Sequence, residues 1–191
     1  MSSNFVGDYI NGVKKCLDEI KEGEVQAIVD VIINVYEKNR CVFIVGNGGS
    51  ASTASHFACD LGKGTVIEGK NRLKAMSLTD NVALMTAISN DISYASVFKE
   101  QLINLLSEGD VVICISASGN SPNVIEAAKY AQSKGAITIG LLGFGGGGLR
   151  QHTHQAIILS SKDYGQVEDA HMILAHLISA EVKKRISGGD C

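Results

Sequence analysis

Apolar side chains along residues 5–38 recur at helical spacing: Val6, Ile10, Val13, Leu17 and Ile20, then Val25, Ile28, Val29, Val31 and Ile32, with Glu22-Gly23 as the break. The pattern predicts two amphipathic helices, each with an apolar face to pack. From residue 41 the period changes. Short apolar runs occur at 41–45 (CVFIV), 73–78 (LKAMSL), 111–116 (VVICIS), 136–142 (AITIGLL) and 156–160 (AIILS). Helical patterns at 51–61, 81–89, 94–106 and 123–133 alternate with them, and a last one covers about 166–186. Such alternation predicts buried parallel strands in an α/β layer fold. Pro122 after Ser121 suits the first turn of a helix behind a serine cap. The GFGGGG run at 143–148 reads as a loop that either moves or closely approaches something.

Length and composition narrow this picture. With 191 residues, 45% hydrophobic and 19% charged, the chain reads as one globular domain whose apolar excess suits subunit contacts. There is no repeat of solenoid period and no long linker. The net charge of −3, with no basic block longer than Lys183-Lys184-Arg185, excludes an electrostatic footprint for nucleic acid. The first residues lack a signal-peptide core, and the longest uncharged stretch, 135–149, is too short and glycine-rich to span a bilayer; the expectation is a cytoplasmic protein without membrane attachment. Cys16, Cys41, Cys59, Cys114 and Cys191 form no CxxC pair and read as buried reduced thiols.

The chemistry concentrates in two glycine-serine stretches. VGNGGS follows the run ending at Val45, and SASGNS follows the run ending at Ile115. Strand, Gly-Ser loop and helix is the layout in which backbone N–H groups and a helix N-terminus meet an anion. Hydroxyls at Ser50, Ser116, Ser118 and Ser121 add donors without adding charge. Either loop alone is also what caps and turns require; two at equivalent positions favour one phosphorylated small molecule at the carboxyl edge of the sheet. Gly46-x-Gly48-x-x-Ala51 formally fits a dinucleotide fingerprint, but the acidic residue at Asp80 comes too late for a ribose. No Gly-Lys-Ser/Thr completes a Walker loop.

His56 and Asp60 are four apart on the helix that opens at the first loop, so both project from one face. On the last helix Glu168 shares a broad face with either His171 or His176, at about 60° and 80° of rotation in opposite senses, so spacing does not choose between them. Two histidines with carboxylates suit Zn²⁺ or acid-base work at a carbonyl, and each histidine alone equally suits an ordinary helix position. His152 and His154 read as surface residues, and Cys59 as a small buried side chain.

GNGGSASTASHFACDL, SNDISYASVF, SEGDVVICISASGNSPNVIEAAKYAQSKG and VEDAHMILAHLI together resemble the phosphoheptose isomerases, a branch of the sugar isomerase (SIS) domain fold, over nearly the whole chain. The resemblance implies a single SIS domain over 1–191, in which residues 1–39 form a helical pair used in packing and oligomerisation and 40–191 the α/β core. The implied fold is a flavodoxin-like three-layer sandwich with a five-stranded parallel sheet. It further implies a homotetramer with active sites at subunit interfaces. The implied activity is aldose-ketose isomerisation of sedoheptulose 7-phosphate to D-glycero-D-manno-heptose 7-phosphate through an enediol, toward the heptose of lipopolysaccharide, S-layer or capsular glycans.

Carried over residue by residue, the substrate contacts fall on Asn47, Gly48, Ser50, Asp91, Ser116, Ser118 and Ser121. The zinc ligands fall on His56, Asp60, Glu168 and His176, rather than His171, and the catalytic groups are Asp60, Glu168 and His176. Either carboxylate would be the base and His176 the acid or shuttle. The family usually has glutamate at the place of Asp60, about 1.5 Å longer in reach, and glutamine at the place of Glu168. Two carboxylates and two neutral imidazoles would cancel the charge of Zn²⁺, favouring retention and weakening its Lewis acidity. The alternatives are an isomerase of another sugar phosphate, which these two changes would mark, and a non-catalytic phosphosugar- or protein-binding regulator.

Overall fold

In the computed structural model, which describes residues 4–189, each of the five apolar runs forms a strand: β1 (Cys41–Val45), β2 (Lys74–Ser77), β3 (Val111–Ser116), β4 (Ile137–Leu142) and β5 (Gln155–Ile158). All pair in parallel, in the order β2-β1-β3-β4-β5. Alternation along the strands sends side chains to two cores. Val42, Ile44, Val111, Ile113 and Ile115 face one, and Phe43, Val45, Val112 and Cys114 the other. β5 ends two residues before the predicted run because the backbone N–H of Ser160 leaves the ladder for the carboxylate of Glu19.

Among the described residues seven α-helices cover the two faces: α1 (Phe5–Asp18), α2 (Glu22–Glu37), α3 (Gly49–Cys59), α4 (Val82–Asp91), α5 (Val97–Leu105), α6 (Pro122–Ser133) and α7 (Tyr164–Ser187). The first core lies between the sheet and α2, α3 and α7; α4, α5 and α6 close the second. The result is a three-layer α/β/α sandwich. The break between the first two helices falls at residues 19–21, not at Glu22-Gly23. Glu22 and Glu24 instead occupy the first turn of α2, where their charge favours the helix N-terminus. The two helices also differ in role. α2 buries Val25, Ile28, Val29, Ile32 and Val35 in the core, whereas α1 buries Cys16 and leaves Phe5, Val6 and Ile10 exposed. Tyr9 ties α1 to α7 through a 2.8 Å hydrogen bond to Asp169.

The glycine-rich run makes a close approach. A Cβ on Gly119 would lie 2.0 Å from the carbonyl oxygen of Gly146, and Gly119, Gly145, Gly146 and Gly147 all have positive φ. The Leu149 N–H donates to the Gly119 carbonyl (2.8 Å) and the Gly148 N–H to Asn120 Oδ1 (2.9 Å). The second glycine-serine loop is thereby held by the loop after β4. His154, exposed as expected, also accepts the Thr138 N–H at its Nδ1 (3.0 Å) and so finishes the edge between β4 and β5.

Candidate active site

Strand order 2-1-3-4-5 reverses direction between β1 and β3, and the carboxyl ends of those strands flank the crevice where ligands of open α/β sheets bind. Both glycine-serine loops leave from these two ends. Asn47, Ser50, Ser116, Ser118, Ser121, Tyr164 and Glu168 line a hollow of about 140 Å³ there. Ordinary small-molecule pockets hold roughly 300–1,000 Å³, so this one is sized for a headgroup. Its lining among the described residues contains no lysine or arginine.

The loops supply neutral donors instead. Gly48, with φ of 56°, turns the chain into α3, and the N–H groups of Ala51 and Ser52 fold back onto its carbonyl. That leaves the N–H groups of Gly49 and Ser50 at the open helix end. Across the crevice, Ser116 Oγ accepts the Gly119 N–H (3.1 Å) and Ser118 Oγ accepts the Asn120 N–H (3.2 Å). Each hydroxyl therefore keeps its own proton for another acceptor. Ser121 sits at the N-cap of α6, yet its hydroxyl does not cap the helix. The Val124 N–H is shared between Asn123 Oδ1 (3.0 Å) and the Ser121 carbonyl (3.1 Å). Ser121 thus keeps the expected N-cap position through its backbone, and its hydroxyl stays available. Two helix N-termini and these hydroxyls together suit an oxyanion.

Sequence reasoning named Asn47 but missed Asn123 and Tyr94, which hold it and set the gap between the loops. Asn47 Nδ2 donates to Asn123 Oδ1 (2.8 Å), and Asn123 Nδ2 returns a bond to Asn47 Oδ1 (2.9 Å). Tyr94 adds its hydroxyl to Asn47 Oδ1 at 2.8 Å. Ser55, Thr79 and Asp80 form a further hydrogen-bonded cluster between α3 and the end of β2. A polar residue just inside a predicted helix, such as Asn123, was the only available signal.

A second cluster lies on α3 and α7. His56 Nε2 and His176 Nε2 are 2.9 Å apart with their rings edge to face, and Asp60 Oδ2 is 3.3 Å from His56 Nε2 and 3.9 Å from His176 Nε2. All three ligand atoms lie within 4.8 Å of one another. Asp60 opens a single π-helical turn, Asp60–Gly64, that extends α3 while keeping Asp60 one turn from His56. Such turns recur at functional sites. Two imidazole nitrogens and a carboxylate oxygen with one side open match the donor set of a zinc ion that keeps an exchangeable position.

The structure separates the remaining expected residues. Glu168 stands in the serine hollow, not in the three-residue cluster; a Cβ on Gly49 would lie 2.2 Å from its Oε2. Burial pushes its carboxyl pKa up, and the nearby charge of Asp169 adds to this. Asp91 is exposed at the end of α4, where it accepts the amide of Asn90 (2.8 Å). His171 is fully buried in the core; burial lowers its pKa to about 4, with the Leu142 carbonyl opposing. Of the cysteines, Cys16 and Cys114 are buried and Cys41 half-buried, but Cys59 is exposed, contrary to expectation. It lies one position before Asp60, on the face of α3 turned away from the core. Cys191 lies outside the described residues.

Comparison with known proteins meets this geometry from the other side. The SIS domain profile matches residues 8–143. Phosphoheptose isomerase of Clostridium acetobutylicum is 35% identical over 190 residues, covering 97% of this chain and 96% of that protein. The enzyme of the same name from Geobacter sulfurreducens is 34% identical over 174 residues, covering 91% and 92%. Among solved structures, phosphoheptose isomerase from Neisseria gonorrhoeae superposes with a TM-score of 0.85 at 27% identity, covering 93% of this chain and 94% of that one. The Francisella tularensis phosphoheptose isomerase shares the fold, with a TM-score of 0.88 at 22% identity over 96% and 99%. With its sheet order, its paired serine loops and near full-length identity to these relatives, the chain belongs to the SIS domain family, in the phosphoheptose isomerase branch.

Proposed function

We propose that this protein interconverts sedoheptulose 7-phosphate and D-glycero-D-manno-heptose 7-phosphate by moving a proton between C1 and C2 through an enediol. The observation that carries the reading is the position of α3. Its N-terminus forms one wall of the serine hollow, while His56 and the adjoining Asp60 stand two turns further along. A ligand held by its phosphate at Ser50, Ser116, Ser118 and Ser121 would extend toward the groups that act on its carbonyl end. Binding energy from that remote phosphate would fix C1 and C2 against a base.

In this reading Glu168 is the base. It stands on α7, the helix that also carries His176, and burial raises its pKa, which strengthens it as a proton acceptor. Asp60 is engaged with His56 and His176 and is assigned to orient them. His176 moves a proton at the sugar oxygens. Zinc would be held by His56, Asp60 and His176, and when bound it would polarise the substrate carbonyl. Glu168, placed apart from that cluster, is assigned to proton transfer instead of ligation.

The assembly in this reading is a homotetramer with active sites between subunits. Phe5, Val6 and Ile10 of α1 and Ile173 and Leu177 of α7 are exposed, and the last two flank His176 along a largely apolar groove. Apolar surface of that kind supports burial against another copy. No described helix is long and apolar enough to cross a membrane. The experiment that tests the reaction is turnover of sedoheptulose 7-phosphate by metal-stripped protein, with and without added Zn²⁺. Formation of the aldose 7-phosphate supports the reading, and no conversion in either state rejects it.

A further inference from the structure

The serine hollow, at about 140 Å³, has room for a phosphate headgroup and little of the chain attached to it. Whatever carries the phosphate must pass the rim. Tyr164, the first residue of α7, stands at that rim: it lines the hollow and is 58% exposed. Its hydroxyl makes no hydrogen bond among the described residues.

Its ring has one aromatic neighbour. Phe144 packs against it edge to face, with ring centroids 4.8 Å apart and planes at 64°. Phe144 is held at φ of 53°, a conformation that side chains other than glycine rarely adopt. Non-glycine residues in that region cluster at ligand sites, where surrounding structure enforces them. Here the enforcement is visible. A Cβ on the preceding Gly143 would lie 2.7 Å from the Ala117 carbonyl oxygen and from Val167 Cγ1, and the Phe144 N–H donates to the Ser161 carbonyl at 3.3 Å. The same glycine-rich loop is bonded to the serine loop through Gly148 and Leu149. Serine loop, Phe144 and Tyr164 are therefore one connected unit.

We propose that Tyr164, braced by Phe144, is a specificity-determining contact that reads the carbon chain next to the phosphate. Its ring walls one side of the chain and its hydroxyl hydrogen-bonds a chain hydroxyl. The serines recognise the phosphate, and Tyr164 distinguishes a phosphosugar from phosphate alone. The inference rests on the phosphosugar reading of the site. It explains why a strained aromatic residue interrupts a run otherwise made of glycine.

The test is calorimetric binding of inorganic phosphate and of sugar phosphates of five to seven carbons to the full chain, for wild type and for Tyr164→Ala, Tyr164→Phe and Phe144→Gly. Glycine at 144 suits the positive φ there, so that variant removes the brace without straining the backbone, and a melting curve accounts for the core contact it also loses. Wild type should bind at least one sugar phosphate more tightly than inorganic phosphate. Tyr164→Ala should weaken that ligand about tenfold while inorganic phosphate stays within about twofold, with Tyr164→Phe and Phe144→Gly in between. Equal weakening of both ligands, no change in either, or a wild type that does not prefer any sugar phosphate would overturn the inference. Turnover measured on the same samples keeps the two readings apart: lost preference in Tyr164→Ala with no isomerisation by wild type rejects the isomerase and keeps the contact.

Discussion

Asn47 and Asn123, 76 positions apart, exchange amide hydrogen bonds of 2.8 and 2.9 Å across the crevice between β1 and β3. One follows the first strand and the other opens α6, so the pair fixes the separation of the two loops that carry the serines. Asn123 is 1% exposed and also accepts the Val124 N–H, so its side chain is committed except for one Nδ2 proton. Asn123→Ala should destabilise the fold by about 1–3 kcal/mol and weaken phosphate binding as well. Asn123→Asp keeps the acceptor for the Val124 N–H and can accept from Asn47, but adds a charge beside the hollow. It should fold with a smaller loss and still bind phosphate poorly. Chemical denaturation and calorimetry on both variants check the pair; phosphate affinity unchanged in Asn123→Asp would remove it from the site.

Ser121 separates binding from stability. Because its hydroxyl does not cap α6, Ser121→Ala should leave the thermal midpoint within about 2 °C, whereas loss of a working N-cap costs about 1 kcal/mol. Losing a hydrogen bond to a charged group should raise the KM for phosphosugar about tenfold or more. Ser118→Ala should act in the same direction. A melting curve and steady-state kinetics on the same preparation decide the matter; a large fall in midpoint with unchanged KM would assign Ser121 to the helix.

The secondary structure was legible because a buried parallel sheet writes itself as short apolar runs, and a helix pair as a 3.6-residue stripe. A boundary shifted where a side chain intervened, since Glu19 draws Ser160 off β5, whereas Ser121 and Pro122 open α6 as their pattern predicts. In the site, the serines and the His56, Asp60 pair were visible as local patterns. The Asn47, Asn123 exchange and the bracing of Tyr164 by Phe144 were not, because each joins residues brought together only by the crossover of the sheet. Spacing left His171 and His176 open, and it was the family resemblance that chose His176. The structure brings His176 to His56, while His171 points into the core.

His171 gives the fold an acid-sensitive point. Burial disfavours its imidazolium, holding the pKa near 4 against 6.5 for a free histidine. The folded chain therefore binds fewer protons there than the unfolded chain between those values. Stability should fall as pH drops from about 6.5 toward 4 and level off below, by an amount on the order of 3 kcal/mol. His171→Leu should flatten that slope relative to wild type in urea unfolding followed against pH. A slope unchanged by the substitution would show that another group carries it.

The cluster of His56, Asp60 and His176 predicts one divalent ion per chain. Wild type loaded with Zn²⁺ and dialysed should retain about one equivalent by elemental analysis, and His56→Ala or His176→Ala should retain less than about a tenth of that. Glu168→Gln should keep the metal, since Glu168 lies in the serine hollow, and lose turnover. Metal lost with Glu168→Gln would return that carboxylate to the ligand set.

Incubation of the zinc-loaded protein with sedoheptulose 7-phosphate in D₂O, followed by NMR, tests the central claim most directly. An enediol formed by one exchangeable base predicts D-glycero-D-manno-heptose 7-phosphate carrying deuterium at C2. Unchanged ketose after long incubation, from protein shown to bind phosphate, would contradict the account.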